Sequence, residues 1–134
     1  MDSSLYREQI IDLYEHPLHY GQLDPHDFSY EEDNPLCGDV IRIDVRLDDE
    51  NKIAEVKWSG DGCAISQASA SLLTDEILGM TVEEVKAFPK ETLLELIGVP
   101  LSMARVKCAL LSLKVLKAGA YGLPIADDMR RSSQ

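Results

Sequence analysis

The 134-residue chain has no long apolar run, and only 6% of its residues are aromatic. A membrane-spanning helix needs about 18 or more consecutive apolar residues. Even the richest stretch, 109–116, is interrupted by Ser112 and Lys114. The first residues contain neither the basic segment nor the apolar segment of a secretory signal. We therefore expect a cytoplasmic protein that does not bind or cross a membrane.

Basic charge is scarce as well. Thirteen Lys and Arg residues stand against 24 Asp and Glu, which gives a formal net charge of −11. Phosphate backbones and anionic lipid headgroups repel such a surface, so the charge argues against binding to nucleic acid or to a membrane surface. The length suits one domain with a single core. We expect one domain over 1–134, with 120–134 as a loose tail, and partners that are other proteins.

Hydrophobic periodicity predicts an α+β fold. Ile41, Ile43 and Val45 alternate with polar residues, which is typical of a strand with one buried face. Periodicity, together with turn and cap signals, predicts strands at 28–31, 41–47 and 54–58, and helices at 4–15, 64–78, 82–88, 93–97 and 102–117. Since the strands precede most of the helices and are joined by short turns, we expect helices packed on one face of a small antiparallel sheet.

The sequence has only three cysteines, Cys37, Cys63 and Cys108, and none of them forms a CxxC pair. The disulfide framework of a small secreted domain has an even and denser set. Counting alone therefore leaves three interpretations: buried structural thiols, a nucleophile, or metal ligands.

The sequence around the first two cysteines favours a nucleophilic or metal-binding role over that of a buried structural thiol. Cys37 lies in a turn before the strongest predicted strand, and Asp39 follows two residues later. Cys63 lies between a predicted strand and a predicted helix, where free backbone N–H groups and the helix dipole favour a thiolate. We expect both side chains to be exposed at the ends of their elements.

The third cysteine, Cys108, is predicted in the first turns of the last helix, again with an exposed side chain. Arg105 and Lys107 are close to it in sequence. Neighbouring cations favour the ionised, nucleophilic form of a thiol. Arg105 and Lys107 are therefore candidate supporting groups for a reactive Cys108.

Three thiols and the Asp39 carboxylate together supply four ligands. Zinc binds four N, S or O donors in a tetrahedron. Cys and Asp also bind iron, and three thiolates with one replaceable ligand suit a transient iron–sulfur cluster. Alternatively, Asp39 only satisfies a turn. The three histidines, His16, His19 and His26, are far from the cysteines in sequence, and we expect them in surface or turn positions.

Four segments together resemble the NifU/IscU/SufU-type iron–sulfur cluster assembly scaffolds, over roughly residues 4–120. The segments are Tyr14-Glu15-His16-Pro17, Asn34-Pro35-Leu36-Cys37-Gly38-Asp39, Gly60-Asp61-Gly62-Cys63-Ala64-Ile65-Ser66-Gln67-Ala68-Ser69 and Arg105-Val106-Lys107-Cys108-Ala109. The resemblance implies a three-stranded antiparallel sheet and one domain in which the three cysteines converge at one exposed end.

The resemblance also implies a function. Members of the family accept persulfide sulfur from a cysteine desulfurase, assemble a 2Fe–2S cluster from it with iron, and pass the cluster to recipient apoproteins. By position, Cys37, Cys63 and Cys108 would hold the metal or cluster. Asp39 would be the fourth ligand when zinc is the occupant. Cys108 and Cys37 are the candidate persulfide acceptors.

Two departures from the family pattern leave the branch open. Lys107 stands where the housekeeping scaffold branch has His, and 101–105 lacks the prolines by which a dedicated chaperone recognises that branch. The SufU branch is closer at the cysteines, but the 45-residue interval from Cys63 to Cys108 leaves no room for its usual insertion. Two alternative functions remain: a zinc-dependent sulfurtransferase and a binding module with a structural zinc site. The chain could also form a homo-oligomer in any of these functions.

Overall fold

The computed structural model describes residues 3–34 and 38–122. The elements in chain order are α1 (Ser3–Glu15), β1 (Phe28–Asn34), β2 (Asp39–Leu47), β3 (Ile53–Asp61), α2 (Ala64–Ile77), α3 (Val82–Lys86), α4 (Lys90–Ile97) and α5 (Met103–Tyr121). The strands form an antiparallel sheet in the order β1-β2-β3. The α+β class and the three-stranded sheet are thus confirmed.

The central strand β2 sets the two faces of the sheet. Ile41, Ile43 and Val45 are at most 1% exposed and belong to the core beneath the helices, as their alternation predicts. The strand register pairs Val40 with Asp61. The first residues of β2 therefore lie beside the last residues of β3, and the chain enters α2 from this edge.

Helix α5 runs through the middle of the helical layer and packs against α2 and β1. A Cβ on Gly119 would lie 2.8 Å from Phe28 Cδ1, so the glycine allows α5 to pass close beneath β1. The helix ends at Tyr121, beyond the predicted end at 117. It is buried on several sides rather than along one stripe, at Cys108, Ala109, Leu111, Ser112, Leu113, Val115, Leu116, Gly119 and Ala120.

The opposite face of the sheet carries a buried carboxylate, Asp44, covered by the segment between α1 and β1. Asp44 Oδ1 accepts hydrogen bonds from Arg42 Nε at 2.8 Å and from Ser29 Oγ, and Oδ2 accepts one from Leu23 N at 3.0 Å. Burial by itself raises the pKa of Asp44, but these hydrogen bonds outweigh it and hold the pKa below its usual value.

The segment between α1 and β1 also pairs with the free edge of β3. Gly21 N donates to Trp58 O at 2.8 Å, and Trp58 N donates to His19 O at 2.9 Å. The Trp58 side chain is fully buried, and its Nε1 donates to Leu18 O at 2.8 Å. The region before β1, which the sequence pattern leaves without regular structure, therefore extends the sheet and covers its core.

Two boundaries differ from the predicted ones. Strand β1 continues to Asn34 rather than ending at Glu31, because Glu31, Glu32 and Asp33 pair with the regular strand β2 although their side chains are acidic. The predicted tail from 120 onward is helical at Ala120 and Tyr121, and residues 123–134 lie outside the described part of the chain. No helix among the described residues has the length and apolar character needed to cross a bilayer.

Candidate metal centre

Three of the four predicted ligands lie together. One carboxylate oxygen of Asp39 and the Sγ atoms of Cys63 and Cys108 are all within 4.8 Å of one another. They come from the start of β2, the N-cap of α2 and the second turn of α5. The β2–β3 register brings Asp39 next to the chain that enters α2, and the packing of α5 on α2 supplies Cys108. Cys37 lies outside the described residues.

Asp39 is the most informative member of the group because it is fully buried. Its Oδ1 accepts a hydrogen bond from Cys63 N at 2.9 Å, so it caps α2 from a neighbouring strand. Its Oδ2 is buried and has no hydrogen-bond partner among the described residues. A buried carboxylate oxygen without a partner is costly. A cation held between Oδ2 and the two sulfurs would offset that cost.

Two glycines before Cys63, Gly60 and Gly62, occupy positions where a side chain would clash with neighbouring atoms. A Cβ on Gly60, at φ +136°, would lie 1.9 Å from Val40 O, so only glycine lets β3 end this close to β2. A Cβ on Gly62 would lie 2.3 Å from Asp39 Oδ1 and 2.6 Å from Ser66 Oγ. Glycine at position 62 therefore leaves the space that the Asp39 carboxylate occupies.

Cys63 is half-buried and begins α2 as its N-cap residue, with φ −73° and ψ 167°. Its Sγ lies 3.8 Å from Ser66 Oγ. Gln67 Nε2 donates to Gly62 O at 2.9 Å and braces the preceding turn. The predicted strand-to-helix position is confirmed, and the side chain is partly accessible to solvent.

For Cys108 the expected exposure is wrong, since the side chain is fully buried. The reason is the central position of α5: its second turn already lies among the other helices and the sheet. Arg105, about one turn before Cys108, and Lys107, directly before it, are both exposed. Arg105 N donates to Ser102 Oγ at 3.3 Å in the N-cap of α5.

The histidines lie outside the ligand group, as expected. His16 is exposed. His19 Nε2 lies 3.0 Å from Asp75 Oδ1, and His26 Nδ1 lies 2.9 Å from Leu23 O. Among the described residues, the site therefore has a carboxylate and sulfur donors and no imidazole.

The sequence interpretation missed two residues that surround the candidate ligands: Gly62, which leaves space for the Asp39 carboxylate, and Ser66, whose hydroxyl lies beside the Cys63 sulfur. The signals that could have revealed them are the Gly-x-Gly turn directly before Cys63 and the serine three residues after it, on the same side of the helix.

The donors fit a small thiophilic cation. In a tetrahedral zinc site with Zn–S distances near 2.3 Å, two sulfurs stand about 3.8 Å apart. The candidate ligand atoms of Asp39, Cys63 and Cys108 are separated by at most 4.8 Å, so in the reduced protein a contraction of about 1 Å would close the site around one ion. Thiolate and carboxylate donors suit zinc or iron. The ion would hold the three elements together and neutralise the charge of its ligands.

Comparison with known proteins decides the family. The family model of the NifU-like N-terminal domain matches residues 5–125. The protein belongs to this NifU-like family. The candidate ligands Asp39, Cys63 and Cys108 all lie inside the matched range, and the resemblance seen in the sequence is confirmed.

Individual members of the NifU-like family are similar over much of the chain. The scaffold protein IscU of Streptococcus pyogenes serotype M1 is 42% identical over 83 residues, which are 62% of this chain and 51% of that protein. The zinc-dependent sulfurtransferase SufU of Bacillus subtilis is 35% identical over 133 residues, covering 87% of this chain and 89% of the relative.

A solved structure agrees with the fold. The crystal structure of a protein described as a candidate scaffold for the SUF system, from Fervidobacterium islandicum AW-1, superposes with a TM-score of 0.71 and 28% identity. The match covers 90% of this chain and 99% of that one. The NifU-like fold is therefore shared over nearly the full length.

Proposed function

We propose that this protein is an iron–sulfur cluster assembly scaffold, which takes sulfur from a cysteine desulfurase and builds a transient 2Fe–2S cluster for recipient apoproteins. One observation carries the proposal: Asp39, Cys63 and Cys108, from three separate elements, lie within 4.8 Å of one another. The scaffold names of relatives such as the S. pyogenes protein support it.

In this proposal Cys37 completes the ligand set. Cys37 is two residues before Asp39. The covalent length of the chain alone therefore keeps the two Cα atoms within about 7 Å of each other. Cys37, Cys63 and Cys108 would hold the cluster, and Asp39 would supply the fourth ligand when a single zinc ion is bound.

Sulfur transfer requires a thiolate that a partner's persulfide can reach. The acceptor thiolate attacks the outer sulfur of the donor persulfide, the S–S bond of the donor breaks, and the donor thiolate leaves. The transferred sulfur then needs electrons from an external donor to become sulfide. Since Cys108 is fully buried, its burial favours Cys37 as the first acceptor and Cys108 as a ligand. Arg105 and Lys107, both exposed, would attract the partner's anionic groups.

The second candidate function is a zinc-dependent sulfurtransferase. The similarity to B. subtilis SufU over 87% of this chain favours it, as does a donor set that matches tetrahedral zinc. In that function the same cysteines would accept sulfur and pass it on without forming a cluster.

Anaerobic reconstitution separates the two functions. The wild type, with ferrous iron, cysteine, a reductant and a cysteine desulfurase, should develop the visible absorption of a 2Fe–2S cluster. Cys63→Ala should lose that absorption, whereas the control Ser69→Ala, which alters a buried hydroxyl of the same helix, should keep it.

A colourless product that retains zinc and stimulates the desulfurase several-fold would favour the sulfurtransferase. A product that shows neither the absorption nor the stimulation of the desulfurase would contradict both functions. The structural-zinc alternative has its own test: it requires that the fold be lost when zinc is removed. It fails if the stripped protein stays folded while Cys63 becomes open to alkylation.

A further inference from the structure

We propose that Ser66 is a positioning residue for the Cys63 sulfur. Its hydroxyl oxygen accepts a hydrogen bond from the S–H group while Cys63 is a thiol. The hydroxyl turns to donate a hydrogen bond to the sulfur once Cys63 is a metal-bound thiolate. The inference rests on the proposed function in one respect, namely that Cys63 is a ligand.

The geometry places the hydroxyl beside the sulfur. Ser66 is 1% exposed, and its Oγ lies 3.8 Å from Cys63 Sγ and 3.0 Å from Cys63 O. Cys63 is the N-cap of α2 and Ser66 is three residues further along, so the helix itself fixes the two side chains on one side.

The Ser66 hydroxyl can give up its present hydrogen bond and donate to the Cys63 sulfur instead. Ser66 Oγ donates to Cys63 O, but the same carbonyl also accepts from Gln67 N at 3.1 Å, which is the first hydrogen bond of the helix. If the hydroxyl turns away, the carbonyl keeps that partner and no buried acceptor is left unsatisfied. A serine hydroxyl rotates freely about its C–O bond, so the change costs little.

The neighbouring turn holds the hydroxyl in place. Ser66 Oγ and Asp39 Oδ1 both border Gly62, at 2.6 Å and 2.3 Å from the position that a Cβ would take there. Asp39 Oδ1 accepts from Cys63 N at 2.9 Å. Asp39 thus orients the main chain of Cys63, while Ser66 orients its sulfur, and both act from the buried side of the site.

A hydrogen bond to a ligand sulfur changes the bond between sulfur and metal. The donor withdraws electron density from the thiolate, so the sulfur-to-metal charge-transfer band moves to higher energy. Groups that hydrogen-bond to metal ligands commonly change metal affinity by about 10- to 100-fold when they are removed. We expect the lower end of that range for Ser66→Ala, because one weak sulfur hydrogen bond is lost.

The test compares Ser66→Ala with Ser69→Ala. Ser69 lies one turn further along α2, is fully buried, and its hydroxyl has no hydrogen-bond partner within the described region. Both substitutions remove a buried hydroxyl from the same helix, but only Ser66 lies against the sulfur. The full chain is used under reducing conditions. Cobalt(II) reports the charge-transfer band, and competition with a chelator gives the zinc dissociation constant.

Ser66→Ala should shift the cobalt band to lower energy and raise the zinc dissociation constant about tenfold, while Ser69→Ala should match the wild type in both. Ser66→Thr, which keeps the hydroxyl, should restore the band. Weaker zinc binding of Ser66→Ala with an unshifted band would overturn the proposal, because it would show a merely structural role. If Ser66→Ala equals Ser69→Ala, this inference fails alone. If the wild type itself binds neither metal, the proposed function fails with it.

Discussion

The substitution Gly62→Ala tests whether the position of the Asp39 carboxylate governs metal binding. The new Cβ would stand 2.3 Å from Asp39 Oδ1 and 2.8 Å from Asp39 Cγ. It would also stand 2.6 Å from Ser66 Oγ, whose separate effect the Ser66→Ala variant measures. Ordinary contact begins near 3.4 Å, so the carboxylate has to move by about 1 Å. The φ of Gly62 is not in the left-handed region, and alanine therefore adds no backbone strain of its own.

Two losses follow from that movement. The bond from Cys63 N to Asp39 Oδ1 breaks or lengthens, and a hydrogen bond to a charged group contributes about 1.5–3 kcal/mol. The carboxylate also moves from its place beside the two sulfurs. Because metal–ligand distances in a formed site vary by only about 0.2 Å, the displaced carboxylate would have to move back at a cost in order to bind an ion. We expect the metal-free protein to lose about 2 kcal/mol of unfolding free energy and the zinc dissociation constant to rise at least about tenfold.

Gly119→Ala is the matched control. Its Cβ would also meet a side chain, at 2.8 Å from Phe28 Cδ1, but in the packing of α5 against β1. Urea denaturation gives the unfolding free energy of both variants, and chelator competition gives their zinc affinity. Gly119→Ala should bind zinc as the wild type does, whatever its stability. Unchanged zinc affinity in Gly62→Ala would refute the reasoning that Asp39 must keep this position to bind metal.

Two further predictions concern the fold. Asp44→Asn should lower the unfolding free energy by about 2 kcal/mol at pH 7, because hydrogen bonds from Arg42, Ser29 and Leu23 lose their charged acceptor. The folded pKa of Asp44 lies below the unfolded value of 3.8, so the stabilisation by its carboxylate is present above that pH and is lost as the pH falls through the folded pKa. Denaturation curves from pH 7 to pH 2 should therefore show a smaller loss of unfolding free energy in Asp44→Asn than in the wild type. An equal loss in both would contradict the assignment. Trp58, the only tryptophan, is 0% exposed, so its fluorescence should resist acrylamide until the protein unfolds, and ready quenching of the native protein would show that the segment over β3 does not cover it.

The sequence predicted the elements well where one physical signal dominated. The strict alternation around Ile41, Ile43 and Val45 reflects one buried face, and the structure has that strand and that face. It did not predict the buried Asp44 on the other face, because the partners of Asp44 include Leu23 from a segment without periodicity and Ser29 from the neighbouring strand β1. Tertiary contacts, rather than local preference, make that carboxylate part of the interior.

The grouping of Asp39, Cys63 and Cys108 was predictable from the sequence, but the depth at which they are buried was not. Each cysteine context pointed to the end of an element, which correctly places Cys63 at the start of α2. Burial of Cys108 depends on how α5 packs between the other helices and the sheet, and no local pattern encodes that packing. The distance between Asp39 and Cys63 depends in the same way on the register of β2 against β3.

The arrangement favours a metal or cluster that can leave without loss of the fold. Small domains that need a structural metal have too little apolar surface to fold alone. This chain instead buries a continuous core of large side chains, including Trp58, Leu73 and Leu116, from the sheet and the helices. The candidate ligands lie at the edge of that core, and Asp39 Oδ1 accepts the hydrogen bond from Cys63 N whether or not Oδ2 has a cation beside it. Removal of an ion bound here would leave Asp39 Oδ2 without its cation, while the helix and sheet contacts of the core would stay intact. A reversible assembly site has to meet that condition.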